Sequence, residues 1–594
     1  MASVRSSPEG AVIPAASPAR FRFLLLVGVA ANLIIFPLNH LVSIALNHGD
    51  YTPFAVAPHV SALVWDETQL YAPGPSRFFH NLSVPGESDI LELRNARNPQ
   101  PIVHTILLGL LAKALGSLEW AWVVSHALLP TLIWAVLFWH AFRFVRSPVP
   151  AMAIAWLTCF VAFSPRNFLL LGEDRFIQPL ELTRTPQPAL SFLFLLLAVW
   201  LFSRALAQPI WLRIACAGVA CGVLFYSYYF YWFSFFAGAG LLLVVLALIG
   251  RRDYAKTAIS VLALGCLVGI PYLRTVEGMR GERQHDLLSR IGVFTRQPDV
   301  AGLALAALVG LFLWLYCRLR LRTHGGDDEV FAASALAVVA GASIGLNIHL
   351  LTGYDGQHHL HFNNRVIQPL LTYVLLLIAI RFGPWREKYR RSALAAGCIF
   401  IAALLGVAVI RQIQVARNTA AYHRMSSPDM NVLVWLRSRI DPDTVVGSSD
   451  GDLLTLIPAV AGTWTFVPVG DRSAASNTEI LTRYLMLARL EDRNWPDAEA
   501  ELRSDSGLKL GSSSLSYTLF VQRPILPETI ESARAIWNNL DLARDFRGRR
   551  LDYLIIRRQE SGVVPPSMRG WEPVYQNSKW RVFRTSRQPG AGPA

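Results

Sequence analysis

The sequence predicts a polytopic α-helical membrane protein of about eleven transmembrane helices, followed by a C-terminal α/β domain. Three observations predict it. Of 594 residues, 53% are hydrophobic and only 16% charged, whereas an ordinary soluble chain is nearer a quarter charged. The deficit is uneven: residues 1–411 hold 53 charged residues and residues 412–594 hold 43. Long apolar runs recur through the first part, separated by short basic clusters. A soluble enzyme, a disordered chain and a disulfide scaffold are thereby excluded. Six cysteines all lie in apolar runs and none in the tail, so no disulfide framework or CxxC metal site is available. The net charge of +14 reads as basic loops facing anionic lipid rather than as a nucleic-acid surface.

The elements follow in order. Residues 1–20 are rich in Ala, Pro and Ser and read as a disordered N-terminus. Phe21 to Leu46 carries a single charge, Arg22 at its start, and is too long for a signal-peptide core, so it reads as a retained helix. Arg5 and Arg20 before it, with Arg22 at its start, place the N-terminus in the cytoplasm. The segment 102–118 is short, carries His104 and Lys113, and suits a surface-lying helix better than a span. The remaining spans fall near 120–142, 148–164, 188–204, 210–226, 229–250, 255–273, 300–317, 330–350, 366–381 and 392–411. With this parity the tight clusters, such as Arg318/Arg320/Arg322 and Arg381/Arg386/Lys388/Arg390/Arg391, all face the cytoplasm. Counting 102–118 as a span would put them outside. The membrane domain is therefore 21–411, with outer loops 47–119, 165–187, 274–299 and 351–365, and 412–594 is an extracytoplasmic domain. There, 431–440 reads as a helix and 444–447 and 551–556 as strands. Residues 571–576 and 580–585 form a hairpin around Asn577-Ser578.

Unusual polar groups gather on the outer face. The first loop holds Asp66-Glu67, an adjacent pair that supplies a general base and a metal or hydrogen-bond partner, or else is a solvated acidic turn. The second loop holds Glu173-Asp174 framed by Arg166, Arg175 and Arg184. The third is basic, with Arg274, Arg280, Arg283, Arg290 and Arg296; either a phosphate-bearing substrate or anionic outer lipid compensates it. The fourth carries His358, His359 and His361 with Arg365 at the entry to a helix. Its histidines lack the spacing of known metal sites, and His361 with Arg365 suits phosphate or sugar contact. The run Tyr226 to Trp232 is either an interfacial aromatic belt or the lining of a groove.

Asp66-Glu67 with Tyr71-Ala72, after one N-terminal helix, looks like the Asp-Glu element of GT-C superfamily glycosyltransferases. These include protein O-mannosyltransferases and the bacterial transferases that add aminoarabinose to lipid A. Asn98 to Pro101, followed by 107–116 and Glu119-Trp120, is similar to that family's juxtamembrane helix. Ser164-Pro165-Arg166 with Glu173-Asp174 beyond resembles its second acidic loop. The resemblance covers roughly 20–190 in motif detail and the rest in architecture. It implies inverting transfer of a sugar from a polyprenyl-phosphate donor to a lipid, glycan or protein hydroxyl, on the outer face of a bacterial inner membrane. Asp66 then matches the first-loop catalytic aspartate, which deprotonates the acceptor hydroxyl or orients it for attack on the anomeric carbon, and Glu67 positions acceptor or base. Glu173 or Asp174 matches the second acidic element, which in some members helps hold a divalent cation (Mg or Mn); here the pair reads Glu-Asp, not Asp-x-Asp. Arg365, His361, Arg280 and Arg283 then hold the donor phosphate. The rival readings are a transporter or flippase of lipid-linked sugars and a non-catalytic membrane subunit of an envelope-polysaccharide assembly.

Overall fold

A computed structural model describes residues 18–54, 71–84, 86–87, 89–96, 102–163, 165, 180–277, 282–322, 326–356, 361–382, 390–503, 515–520, 524–558 and 564–585. Nine helices among them are long and apolar enough to cross a membrane: Ala19–Asn47, Leu118–Val145, Ala189–Ala207, Tyr229–Leu248, Arg252–Glu277, Val300–Leu321, Asp327–Thr352, Asn363–Arg381 and Leu394–His423. The two other expected spans are present as shorter apolar helices, Pro148–Ala162 and Trp211–Tyr226. The first span breaks at Phe36-Pro37, where proline removes a donor. The amide of Gln412 donates to the carbonyls of Ile35 and Phe36 at 3.2 and 2.8 Å, satisfying backbone exposed by the break. Helix Arg390–Thr419 therefore runs past the expected end at 411, because Arg411 and Gln412 are buried between helices rather than marking an exit.

The centre of the bundle is Asp327–Gly345, buried along nearly its whole length and built from Ala, Val, Ser and Gly. Small side chains are what let two helix backbones touch. Gly238 and Gly341 meet there: a Cβ on Gly238 would strike the carbonyl of Ala337, and one on Gly341 that of Ser234. At one end of this helix Asp327 pairs with Arg204 and stands 4.0 Å from Arg143. Described residues of the third and fourth loops lie at the other, where the backbone N–H of Asp299 donates to Asn347 Oδ1 at 2.9 Å.

The C-terminal domain carries a five-stranded sheet. Two short strands precede it in the chain, β1 (Val293–Phe294) and β2 (Tyr354–Asp355), which pair antiparallel and tie the third loop to the fourth. The sheet itself contains β3 (Val445–Ser448), β4 (Trp464–Thr465), β5 (Tyr553–Arg557), β6 (Glu572–Gln576) and β7 (Trp580–Arg584), in the order β4-β3-β5-β7-β6. β3 runs parallel to β4 and β5, while β7 is antiparallel to both β5 and β6. The expected helix appears as Ser427–Arg439, and both expected strands and the hairpin form. One face of the sheet packs under helix Asn477–Leu490. The other, with Val446, Ile555, Trp580 and Val582, shares a core with Phe54, Leu108, Ala112 and Trp122. Helix Ile102–Leu115 is thus packed into the C-terminal domain's core, not into the bundle's.

Candidate functional site

Among the described residues, one cluster of buried polar groups centres on Arg365. A π-turn over Asn363–Ile367 opens its helix and carries Arg365 inward, leaving it only 5% exposed. Such turns are frequent at functional sites because the extra residue re-aims side chains. The guanidinium Nη1 donates to the hydroxyl of Tyr228, and the group sits 5.5 Å from that ring's centre. Nη2 stands 3.6 Å from a carboxylate oxygen of Glu181. That distance is an ion pair but not a hydrogen bond. The same oxygen accepts a 2.7 Å bond from Arg184. Glu181 and Arg184 belong to the turn that ends the second loop, and Tyr228 sits immediately before helix Tyr229–Leu248.

Two further contacts extend the cluster. The Tyr228 hydroxyl lies 2.8 Å from Nδ1 of His361, whose ring packs edge-on against Phe230. On the other side, the Tyr71 hydroxyl donates to Oε1 of Gln187 at 2.8 Å, and the Gln187 amide donates to the carbonyl of Ser227 at 3.4 Å. The end of the first loop is therefore connected through Gln187 and the Ser227-Tyr228 backbone to Arg365. Beside this chain a cleft opens between helix Ile102–Leu115 and the start of helix Ala189–Ala207, lined by Val103, His104, Pro186, Gln187, Leu190 and Phe194. His104 is buried, its Nδ1 has no hydrogen-bond partner among the described residues, and Tyr71 packs edge-on against its ring.

Of the residues singled out from sequence, Arg365 and His361 are brought together through Tyr228. Asp66, Glu67, Glu173, Asp174, Arg280, His358 and His359 lie outside the described residues. Arg283 falls on helix Glu282–Ile291. Two arginines of the basic third loop are committed to the protein itself: Arg290 donates to Gly470, Ser473 and Ala475 carbonyls and to Asn477, and Arg296 to the carbonyl of Leu350. Two of the loop's five arginines are thus accounted for by tertiary bonds. Tyr228 is likewise not a belt residue; it is buried, facing Arg365. In the sequence Glu181 and Gln187 have no prominence, Tyr228 enters only within the 226–232 run, and His104 only as a polar residue of the 102–118 helix. The one local signal was Glu181-x-x-Arg184, an (i, i+3) pair at a helix entry; the rest depended on segments more than thirty residues apart meeting.

No family model matches the chain, and no curated protein matches it. Two of the solved structures it is similar to are the following. One is an oligosaccharyltransferase of Archaeoglobus fulgidus tethered to an acceptor peptide, at 11% identity and a TM-score of 0.46 over 96% of this chain and 74% of that one. The other is ArnT from Cupriavidus metallidurans bound to undecaprenyl phosphate, at 12% identity and a TM-score of 0.42 over 97% of this chain and 100% of that one.

Proposed function

We propose that this protein is a GT-C-type glycosyltransferase that moves a sugar, with inversion, from a polyprenyl-phosphate donor to a hydroxyl acceptor at the outer face of a bacterial inner membrane. The observation that carries the reading is the setting of Arg365. It is a buried guanidinium at the end of an apolar bundle, and its carboxylate partner is held more closely by a second arginine. A buried cation needs an anion, and a phosphate on a lipid chain would present one at this depth. Guanidinium and phosphate match in a two-point fork. The Tyr228 hydroxyl and His361 flank the same position.

In the proposed reaction the Asp66 carboxylate takes the proton from the acceptor hydroxyl. The freed oxygen attacks the anomeric carbon from the face opposite the phosphate, and the bond from that carbon to the phosphate oxygen breaks. The electron pair leaves on the polyprenyl phosphate, whose charge Arg365 holds. Tyr71 sits five residues after Asp66 and donates to Gln187, whose amide donates to the Ser227 carbonyl beside Tyr228, so the chain five residues past the base is tied toward the Arg365 cluster. The acidic pair Glu173-Asp174, to which a Mg or Mn ion is assigned by resemblance, lies outside the described residues, and no step passes through a metal.

The test is a panel of polyprenyl-phosphate sugars offered to purified protein in nanodiscs, with release of free polyprenyl phosphate measured. Release that requires an acceptor supports the proposal. Movement of intact donor across proteoliposomes without release would make the protein a flippase instead.

A further inference from the structure

The loop that joins β4 to helix Asn477–Leu490 grips two of the site-bearing loops at once. From the first loop, the Asp89 carboxylate accepts the backbone N–H of Val469 and the Nε–H of Arg472, each at 2.9 Å. The Glu87 carboxylate accepts the backbone N–H of Ala474 at 2.7 Å. From the third loop, Arg290 donates Nε to the Gly470 carbonyl at 2.7 Å, Nη1 to Asn477 Oδ1 at 2.7 Å, and Nη2 to the Ser473 and Ala475 carbonyls at 2.7 and 3.0 Å. Asp286, one helical turn earlier, accepts the backbone N–H of Asn477 at 2.8 Å. Glu87, Asp89, Arg472 and Arg290 are all buried. The first loop supplies carboxyl groups that accept N–H; the third supplies Arg290, which donates to carbonyls and to Asn477, and Asp286, which accepts one N–H. The loop between presents both kinds of group from one short stretch of backbone. Gly470 is required there, because a Cβ would strike the carbonyl of Leu519.

Each gripped loop leads to the candidate site. Helix Glu282–Ile291 runs into β1, which pairs with β2 at Val293↔Asp355 and Phe294↔Tyr354. Thr295 N–H adds a 3.0 Å bond to the Gly353 carbonyl, and the chain then proceeds to His361 and Arg365. The first loop links Glu87 and Asp89, through helix Pro73–Asn81, to Tyr71 and the Asp66 segment. We infer that the C-terminal domain is a positioning module for the transferase site, and that its 466–477 loop fixes the spacing between the base-bearing first loop and the donor-binding fourth. Arg290 and Asp89 are its two positioning residues. The inference rests on the proposed transferase reading only for what is being positioned; the grip itself is independent of it.

The test uses the full chain in nanodiscs and two kinds of variant. Arg290→Met removes the third-loop grip, Arg290→Lys keeps the charge without the four-way bond, and Asp89→Asn weakens the first-loop grip. Hydrogen exchange reads the grip without any substrate. Arg290→Met should speed exchange at 292–296 and 353–356 by about tenfold or more, since tenfold corresponds to the loss of roughly one good hydrogen bond. Helices 229–248 and 327–345 should be unchanged, which shows that the bundle is folded. Kinetics then read the positioning. Arg290→Met should raise the donor KM by about tenfold with a smaller change in kcat, and Arg290→Lys should fall between it and the wild type. Asp89→Asn should lower kcat and leave the donor KM nearly intact. Unchanged exchange at 292–296 and 353–356 would overturn the inference, and so would reduced stability in both variants with no split between KM and kcat. Faster exchange in a protein whose wild type transfers no sugar would instead refute the transferase reading and keep the grip.

Discussion

Replacing Arg365 tests the donor-phosphate assignment most directly, and the structure fixes what should be lost. The guanidinium makes one hydrogen bond, to Tyr228, and one longer ion pair, to Glu181. In Arg365→Ala the substrate loses a charge-assisted fork to its phosphate, which contributes roughly 1.5–3 kcal/mol. The apparent donor affinity should therefore fall by about one to two powers of ten. Stability should fall as well, because removing one partner of a buried pair leaves the other charge behind, at about 3–5 kcal/mol when nothing compensates. Here Arg184 remains 2.7 Å from Glu181, so the loss should lie below that range. Arg365→Lys should recover part of the affinity, since it keeps the charge but not the fork. Donor titration in nanodiscs, with thermal unfolding of the same samples, separates the two effects. Unchanged donor affinity and turnover in well-folded Arg365→Ala protein would show that the phosphate is held elsewhere and would remove the main support for the proposed reaction.

Four other outcomes follow from the same reasoning. Asp66→Asn should cut turnover by about 10²–10⁴ while leaving expression and folding intact, with Glu67→Gln less severe; wild-type turnover in Asp66→Asn would reject it as the base. Gly238→Val should destabilise the bundle by about 1–3 kcal/mol or more, because its Cβ meets the Ala337 carbonyl and backbone cannot rotate aside; detergent melting measures it. Burial, reinforced by neighbouring Asp89, pushes the Glu87 carboxyl up to about 7. Below this value the folded state holds a proton that the unfolded chain has released, so this contribution to stability should decline as pH rises from about 4.5 to about 7, by on the order of 3 kcal/mol in all. Glu87→Gln should remove that slope from melting curves taken across pH 5–8. Finally, Ser513→Cys should react with an impermeant thiol reagent in intact spheroplasts and Gly326→Cys should not; the reverse pattern would invert the proposed sidedness.

Sequence by itself determined the membrane architecture and the α/β tail. The physical reason is that both are written in short-range patterns. A span needs about twenty apolar residues in a row, and a hairpin needs alternation around a turn such as Asn577-Ser578. Arg365 and His361 were also legible, because a cation and an imidazole at a helix entry are out of place in an apolar run. Tertiary structure decided which partners those groups meet. Glu181 reaches Arg365 across 184 residues of chain, and Asp89 reaches Arg472 across 383. Local pattern carries no record of such pairings, because a carboxylate reads the same whether water or a distant arginine faces it. The basic third loop shows the consequence: counted along the chain it is surplus charge, but in the fold Arg290 is a buried strut between two domains.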